Sequence, residues 1–195
     1  MIKAIIFDCF GVLRSDIYVI IKNKYPELRT DPELVARLEE LGARADLGLL
    51  TSEDRRKYMA TLLDSMGVDG EAEIKQAFSE VQTNVELLSK IKKLRGKLKT
   101  GLLSNTSPGF WNYFSKDELN EYFNEIVLSY EVGARKPDEK VFELAAERLG
   151  VLAIECVFVD DQEKNVKVAK SCGMEGVLYE WGMDIEAAIQ SFVVL

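Results

Sequence analysis

Lys3-Ala4-Ile5-Ile6-Phe7-Asp8-Cys9-Phe10-Gly11-Val12-Leu13 places one carboxylate, Asp8, at the end of a short apolar run. Residues 3–7 read as a strand buried on both faces, the kind that parallel sheets contain. A lone carboxylate at the carboxyl end of such a strand stands where open α/β sheets hold their ligands. An aspartate there can attack a phosphoryl group and become a covalent aspartyl-phosphate.

Four more runs of the same type follow at residues 99–103, 125–128, 156–159 and 176–179. From residue 99 onward they alternate with helix-like segments, the pattern of βαβ units. In one of those segments Pro137 is expected to open the helix, with Asp138 and Glu139 in its first turn and Gly150 closing it. Its apolar positions Val141, Phe142, Ala145, Ala146 and Leu149 recur at helical spacing. The expected fold class is α/β, a Rossmann-like parallel sheet sandwiched by helices.

Residues 15–85 interrupt this alternation. They hold helical patterns at 31–44, 52–66 and 71–82 and no convincing strand. Thr51 or Ser52 followed by Glu53 and Asp54 marks a helix start, and Gly67 its end. The expected organisation is an α/β core of residues 1–14 and 86–195 with an all-helical insert at 15–85.

The chain has 195 residues and a formal net charge of −8, with both signs mixed along it. That balance argues against a nucleic-acid or anionic-membrane partner, which needs a basic surface. No apolar stretch approaches the roughly 20 residues that span a bilayer. Met1-Ile2-Lys3 runs straight into a strand, so no signal peptide is expected and the location is taken as cytoplasmic. Three cysteines, Cys9, Cys156 and Cys172, form neither an even framework nor a Cys-x-x-Cys pair. Histidine is absent, which removes Ser-His-Asp and Cys-His catalysis and histidine-ligated zinc. Chemistry here falls to carboxylates, hydroxyls, lysine and a hard metal ion.

Three further motifs end strands or open helices. Ser104-Asn105-Thr106 offers a hydroxyl and an amide to phosphate oxygens, although such residues are also common in plain turns. Gly133-Ala134-Arg135-Lys136-Pro137-Asp138 carries a lysine that either neutralises a nucleophile or is simply solvated. Val157-Phe158-Val159-Asp160-Asp161-Gln162-Glu163-Lys164-Asn165 ends a buried strand on two adjacent carboxylates. Such a pair is costly unless matched by cations or bound to metal, and Mg²⁺ accepts this donor type. Asp161 can alternatively cap the helix that follows.

The order aspartate, serine, lysine, acidic pair resembles the haloacid dehalogenase superfamily, a large group dominated by phosphatases. The segment Ser129-Tyr130-Glu131-Val132-Gly133-Ala134-Arg135-Lys136-Pro137-Asp138 is similar to the subclass that carries a small helical cap between its first two motifs. The resemblance implies that Asp8 is the nucleophile and that Ser104, beside Asn105, binds the phosphoryl oxygens. It implies that Lys136 orients and neutralises Asp8. Mg²⁺ is then expected on Asp8, the main-chain carbonyl of Phe10 and Asp161. Asp160 would support the site from behind, with Asn165 next to it.

Phe10 departs from the pattern, because family phosphatases usually carry there an aspartate that protonates the leaving group and later activates water. General acid–base help contributes roughly 10²–10⁴-fold, so its loss slows turnover without abolishing it. Three readings follow. One is a slow magnesium-dependent phosphatase of small phosphorylated metabolites, sugar phosphates among them. Another is a metal-independent 2-haloacid dehalogenase, a branch with an aromatic residue at this position. Asp160 and Asp161 stand against it. The last is a non-catalytic binder of a phosphoryl ligand or a protein. Metal-dependent ester hydrolysis, halide release, or binding without turnover separates them. Arg44, Arg55, Arg56 and Lys57 in the insert are read as solvated helix faces, with contact to a second anion as the alternative. Phe110-Trp111-Asn112-Tyr113-Phe114 is either a stacking site or the packed face of a helix.

Overall fold

The structure is a computed structural model, and it describes residues 1–192. Strand β1 (Ala4–Phe7) is followed by five helices, α1 (Ile17–Lys24), α2 (Glu27–Thr30), α3 (Pro32–Asp46), α4 (Ser52–Ser65) and α5 (Gly70–Glu80). Then come α6 (Val85–Leu94), β2 (Lys99–Ser104), α7 (Lys116–Asn120), β3 (Glu125–Leu128), α8 (Ser129–Val132) and α9 (Glu139–Arg148). The described chain closes with β4 (Cys156–Asp160), α10 (Glu163–Ser171), β5 (Glu175–Leu178) and α11 (Ile185–Ile189).

The strands form one parallel sheet in the order β3-β2-β1-β4-β5. Continuous apolar runs suit it because successive side chains enter opposite layers. Ile5 and Phe7 pack with Leu87, Leu88 and Ile91 of α6 on one face. Ala4 and Ile6 pack with Val141, Phe142 and Ala145 of α9 on the other. The chain winds outward from β1 in one direction and from β4 in the other. The gap between the carboxyl ends of these two central strands is therefore the topological switch point, where such sheets bind ligands.

Helices α1 to α5 enclose a separate apolar cluster that includes Ile21, Leu28, Leu38, Met59, Leu63 and Ile74. The two chain crossings between these helices and the sheet lie side by side. Ser15 N donates to Gln82 O at 3.0 Å, and Asn84 N donates to Leu13 O at 2.8 Å.

Two helices within 15–85 escape the periodicity reading. Helix α1 (Ile17-Tyr18-Val19-Ile20-Ile21-Lys22-Asn23-Lys24) is apolar on several sides, and the side chain of Asp16 caps it by accepting from Tyr18 N. Helix α2 is a single turn. The others agree with expectation to within a few residues, and Thr51 with Asp54 forms a full capping box on α4. Pro137 does not open α9, which begins at Glu139 with Asp138 as its N-cap. The proline occupies the preceding turn. Phe110–Asn112 is a single 3-10 turn in place of an amphipathic helix.

Candidate active site

Asp8 follows β1 directly and is held in strand geometry by its N–H, which donates to Val159 O of β4 at 2.9 Å. Lys136 reaches it from the loop before α9, with Nζ 2.6 Å from Asp8 Oδ1 and 2.7 Å from Asp160 Oδ2. All three side chains are buried, Asp160 and Lys136 at 0% and 1% exposure. A lysine enclosed this deeply needs both carboxylates. Burial works against its charge, but Asp8 and Asp160 more than offset that and raise its pKa. Burial likewise pushes the Asp8 carboxyl up to about 8, with Lys136 pulling it down and Asp160 and Asp161 adding to the rise.

Asp160 is fully committed within the protein. Its oxygens accept from Asn165 Nδ2 at 3.0 and 3.1 Å, from Gln162 N at 2.8 Å and from Lys136. Asp161 is the opposite case, since its buried Oδ1 has no hydrogen-bond partner. Burial, followed by the neighbouring Asp160 charge, pushes Asp161 up to about 6. Carboxylate oxygens of Asp8, Asp160 and Asp161 lie within 4.8 Å of one another. Such a set of hard oxygen donors, one of them unpartnered, fits a magnesium ion.

Gly11 makes this approach possible. Its φ is +94°, and a Cβ at this position would overlap the Asp161 carboxylate. Phe10, just before it, lines the cavity above the carboxylates and meets Phe110 edge to face at 6.3 Å.

Ser104 ends β2, the strand beside β1, and is fully buried with a hydroxyl that lacks a partner. It is not part of the cavity wall, whereas Asn105, Thr106 and Ser107 are. The Asn105 side chain is occupied, donating to Lys136 O and accepting from Lys136 N, both at 2.8 Å. Its amide holds the lysine loop against β2. Ser129 Oγ locks the adjacent loop, accepting from Thr106 N at 2.9 Å and donating to Thr106 O at 3.0 Å.

Above these residues lies a cavity of about 500 Å³, walled below by the loops at the strand ends and above by α1, α3, α4 and α5. Arg55 and Arg56 contribute to its wall, Arg56 from a surface position where it pairs with the exposed Glu53 and Glu71. Tyr113 also lines it, while Phe110 and Phe114 stack in the core at 5.0 Å. Periodicity gave no hint of Asp46, a buried carboxylate at the end of α3 that accepts from Arg135 Nε at 3.1 Å.

A five-stranded parallel sheet with this arrangement at its switch point defines the Rossmann-like fold of haloacid dehalogenase-type enzymes. Residues 2–173 match the family described as haloacid dehalogenase-like hydrolase, and the chain belongs to it. It is 29% identical to D-ribitol-5-phosphate phosphatase of Bacteroides thetaiotaomicron, over 94% of this chain and 95% of that one. It is 25% identical to glyceraldehyde 3-phosphate phosphatase of Methanopyrus kandleri, over 89% of this chain and 82% of the relative. Its fold superimposes on a haloacid dehalogenase family enzyme of Bacteroides thetaiotaomicron solved with magnesium and inorganic phosphate. The TM-score is 0.72 at 28% identity, covering 96% of this chain and 99% of that structure. Among the described residues no helix is long and apolar enough to cross a membrane.

Proposed function

We propose that the protein is a magnesium-dependent phosphatase that hydrolyses small phosphorylated metabolites, sugar phosphates among them, through an aspartyl-phosphate on Asp8. The observation that carries this reading is the buried Asp8–Lys136–Asp160 chain beside the unpartnered Asp161 oxygen. The sugar-phosphate phosphatases among its relatives support it.

An Asp8 oxygen attacks phosphorus as the ester oxygen leaves, and water then cleaves the acyl phosphate to release phosphate and regenerate the carboxylate. Lys136 balances the charge on Asp8 and on the transferring group. Asp8, the Phe10 carbonyl and Asp161 would hold magnesium, which when bound supplies positive charge against the phosphoryl oxygens. Asp160, fixed by Asn165, keeps Lys136 aimed at Asp8. The Ser104 hydroxyl has hydrogen-bonding capacity to spare for a phosphoryl oxygen, and Asn105 acts through Lys136. Helices α1 to α5 serve as a cap over the leaving group. No carboxylic acid stands at position 10, so esters with poor leaving groups turn over slowly.

Hydrolysis of p-nitrophenyl phosphate by wild type and Asp8→Asn, each with Mg²⁺ and with EDTA, tests the reading. Activity should require both Asp8 and the metal. Phe10 favours one second reading, a phosphoryl-ligand binder without turnover. Complete inactivity of folded, magnesium-loaded wild type would select it.

A further inference from the structure

The cations around the cavity divide into two groups. Arg56 is engaged by Glu53 and Glu71, Arg135 by Asp46, and Lys136 by Asp8 and Asp160. Arg14, Lys22, Arg55 and Lys164 line the same cavity and, among the described residues, form neither an ion pair nor a side-chain hydrogen bond. Arg55 is nevertheless held in place, with its guanidinium carbon 3.9 Å from the centroid of the Tyr18 ring. A stacked guanidinium keeps its N–H donors free around its edge, in the geometry that a carboxylate or phosphate accepts. Tyr18 is anchored in turn, since its N–H donates to Asp16 Oδ1 at 2.7 Å.

Lys22 follows Tyr18 by one helical turn and so shares its face of α1. Burial lowers its pKa; Asp16 and Glu39 counteract this, while Arg55 and Lys164 add to the depression. Asp16, Glu39 and Asp46 line the same cavity, but among the described residues none of them forms an ion pair with Arg55 or Lys22, so the N–H donors of both stay open to an entering anion.

We infer that the substrate carries a second anionic group, a carboxylate or a further phosphate, received by Arg55 with Lys22 beside it in the insert. The inference rests on the phosphatase reading of the same cavity. It goes beyond the named relatives, because a polyol phosphate such as D-ribitol 5-phosphate has no second anion to present. Asp8 and Lys136 take the scissile phosphoryl group at the floor, and Arg55 takes the far end of the molecule.

The test compares kcat/KM for a five-carbon polyol phosphate, the matching phosphorylated aldonate and the matching bisphosphate. Wild type should favour one or both doubly anionic esters by roughly 10- to 100-fold, the range of a charge-assisted hydrogen bond. The two anionic esters distinguish a carboxylate site from a phosphate site. In Arg55→Met, shown to be folded by its melting curve, that ratio should collapse towards one. Arg55→Lys should restore part of it. Equal kcat/KM for all three esters in wild type overturns the proposal. If p-nitrophenyl phosphate hydrolysis still requires Asp8, the phosphatase reading survives that result. Should no ester turn over, calorimetric titration of wild type and Arg55→Met with the polyol phosphate, the aldonate and the bisphosphate decides. Tighter binding of a doubly anionic ester that disappears in Arg55→Met upholds the site. Equal affinities, or no binding, refute it.

Discussion

Phe10 and Gly11 show how two adjacent residues divide the work beside Asp8. The Phe10 ring can neither give nor take a proton, yet its edge-to-face contact with Phe110 ties the loop to the core. Phe10→Asp should therefore do two opposite things. Hydrolysis of esters with poor leaving groups should rise, up to the ~10²–10⁴-fold that general acid catalysis supplies. Stability should fall by about 1–3 kcal/mol as the aromatic packing is lost. Steady-state kinetics on alkyl and aryl phosphates, with a urea melt of the same variant, checks both. No gain on alkyl esters in a folded variant would mean that protonation is not the slow step. Gly11 is required for a different reason, its positive φ and its closeness to the Asp161 carboxylate. Gly11→Ala should cost about 1–3 kcal/mol through backbone strain and overlap. It should also raise the magnesium concentration needed for half-maximal activity, measured by titrating the metal.

At the scale of elements, α6 shows a cap doing more than ending a helix. Asn84 Oδ1 accepts from Leu87 N at 3.1 Å, while its Nδ2 donates to Tyr179 Oη at 2.8 Å and to Val12 O at 3.3 Å. One side chain thus joins the start of α6, the loop after Asp8 and the end of β5. Asn84→Ala should lose about 1–3 kcal/mol, at or above the usual cost of an N-cap. Urea denaturation measures it, and a loss below about 0.5 kcal/mol would show that water replaces those bonds. The helix start at Thr51 was legible because a capping side chain precedes a periodic run there. Helix α1 was not, because its β-branched residues carry no clear helical period and only packing of Ile21 into the insert settles it. Pro137 misled for a related reason, since a proline suits both the first helical position and the turn before it.

Across the whole molecule, the insert and the sheet meet through few polar contacts. Ser52 N of α4 donates to Pro108 O at 3.0 Å, and Asp46 of α3 pairs with Arg135. Burial raises the Asp46 pKa above its ordinary 3.8, with Arg55 and Arg135 only partly offsetting it. The folded state then binds the Asp46 proton more tightly than the unfolded chain. Its contribution to stability is greatest below pH 3.8 and is lost as pH rises through the raised value. Asp46→Asn should lack that decline. Melting temperatures of both proteins between pH 3 and 7 should show wild type losing stability relative to the variant as pH rises. Parallel profiles would mean that Arg135 holds Asp46 ionised throughout.

What the sequence determined by itself was local in origin. A strand buried on both faces must be apolar throughout, so the sheet could be read from its runs, and polar residues that end such runs stand out as Asp8, Ser104, Asp160 and Asp161 do. Contacts between residues far apart in the chain leave no such trace. Asp46 and Arg135 lie 89 positions apart, and neither announces the other. The order β2-β1-β4 brings the acidic pair beside Asp8, and Asn105 is committed to the Lys136 backbone. Within the insert, Arg56 pairs with Glu71 of the next helix while Arg55, one residue away, stacks on Tyr18 of α1. Only the tertiary structure could decide these, because whether a charged side chain has a partner depends on what packs against it in space.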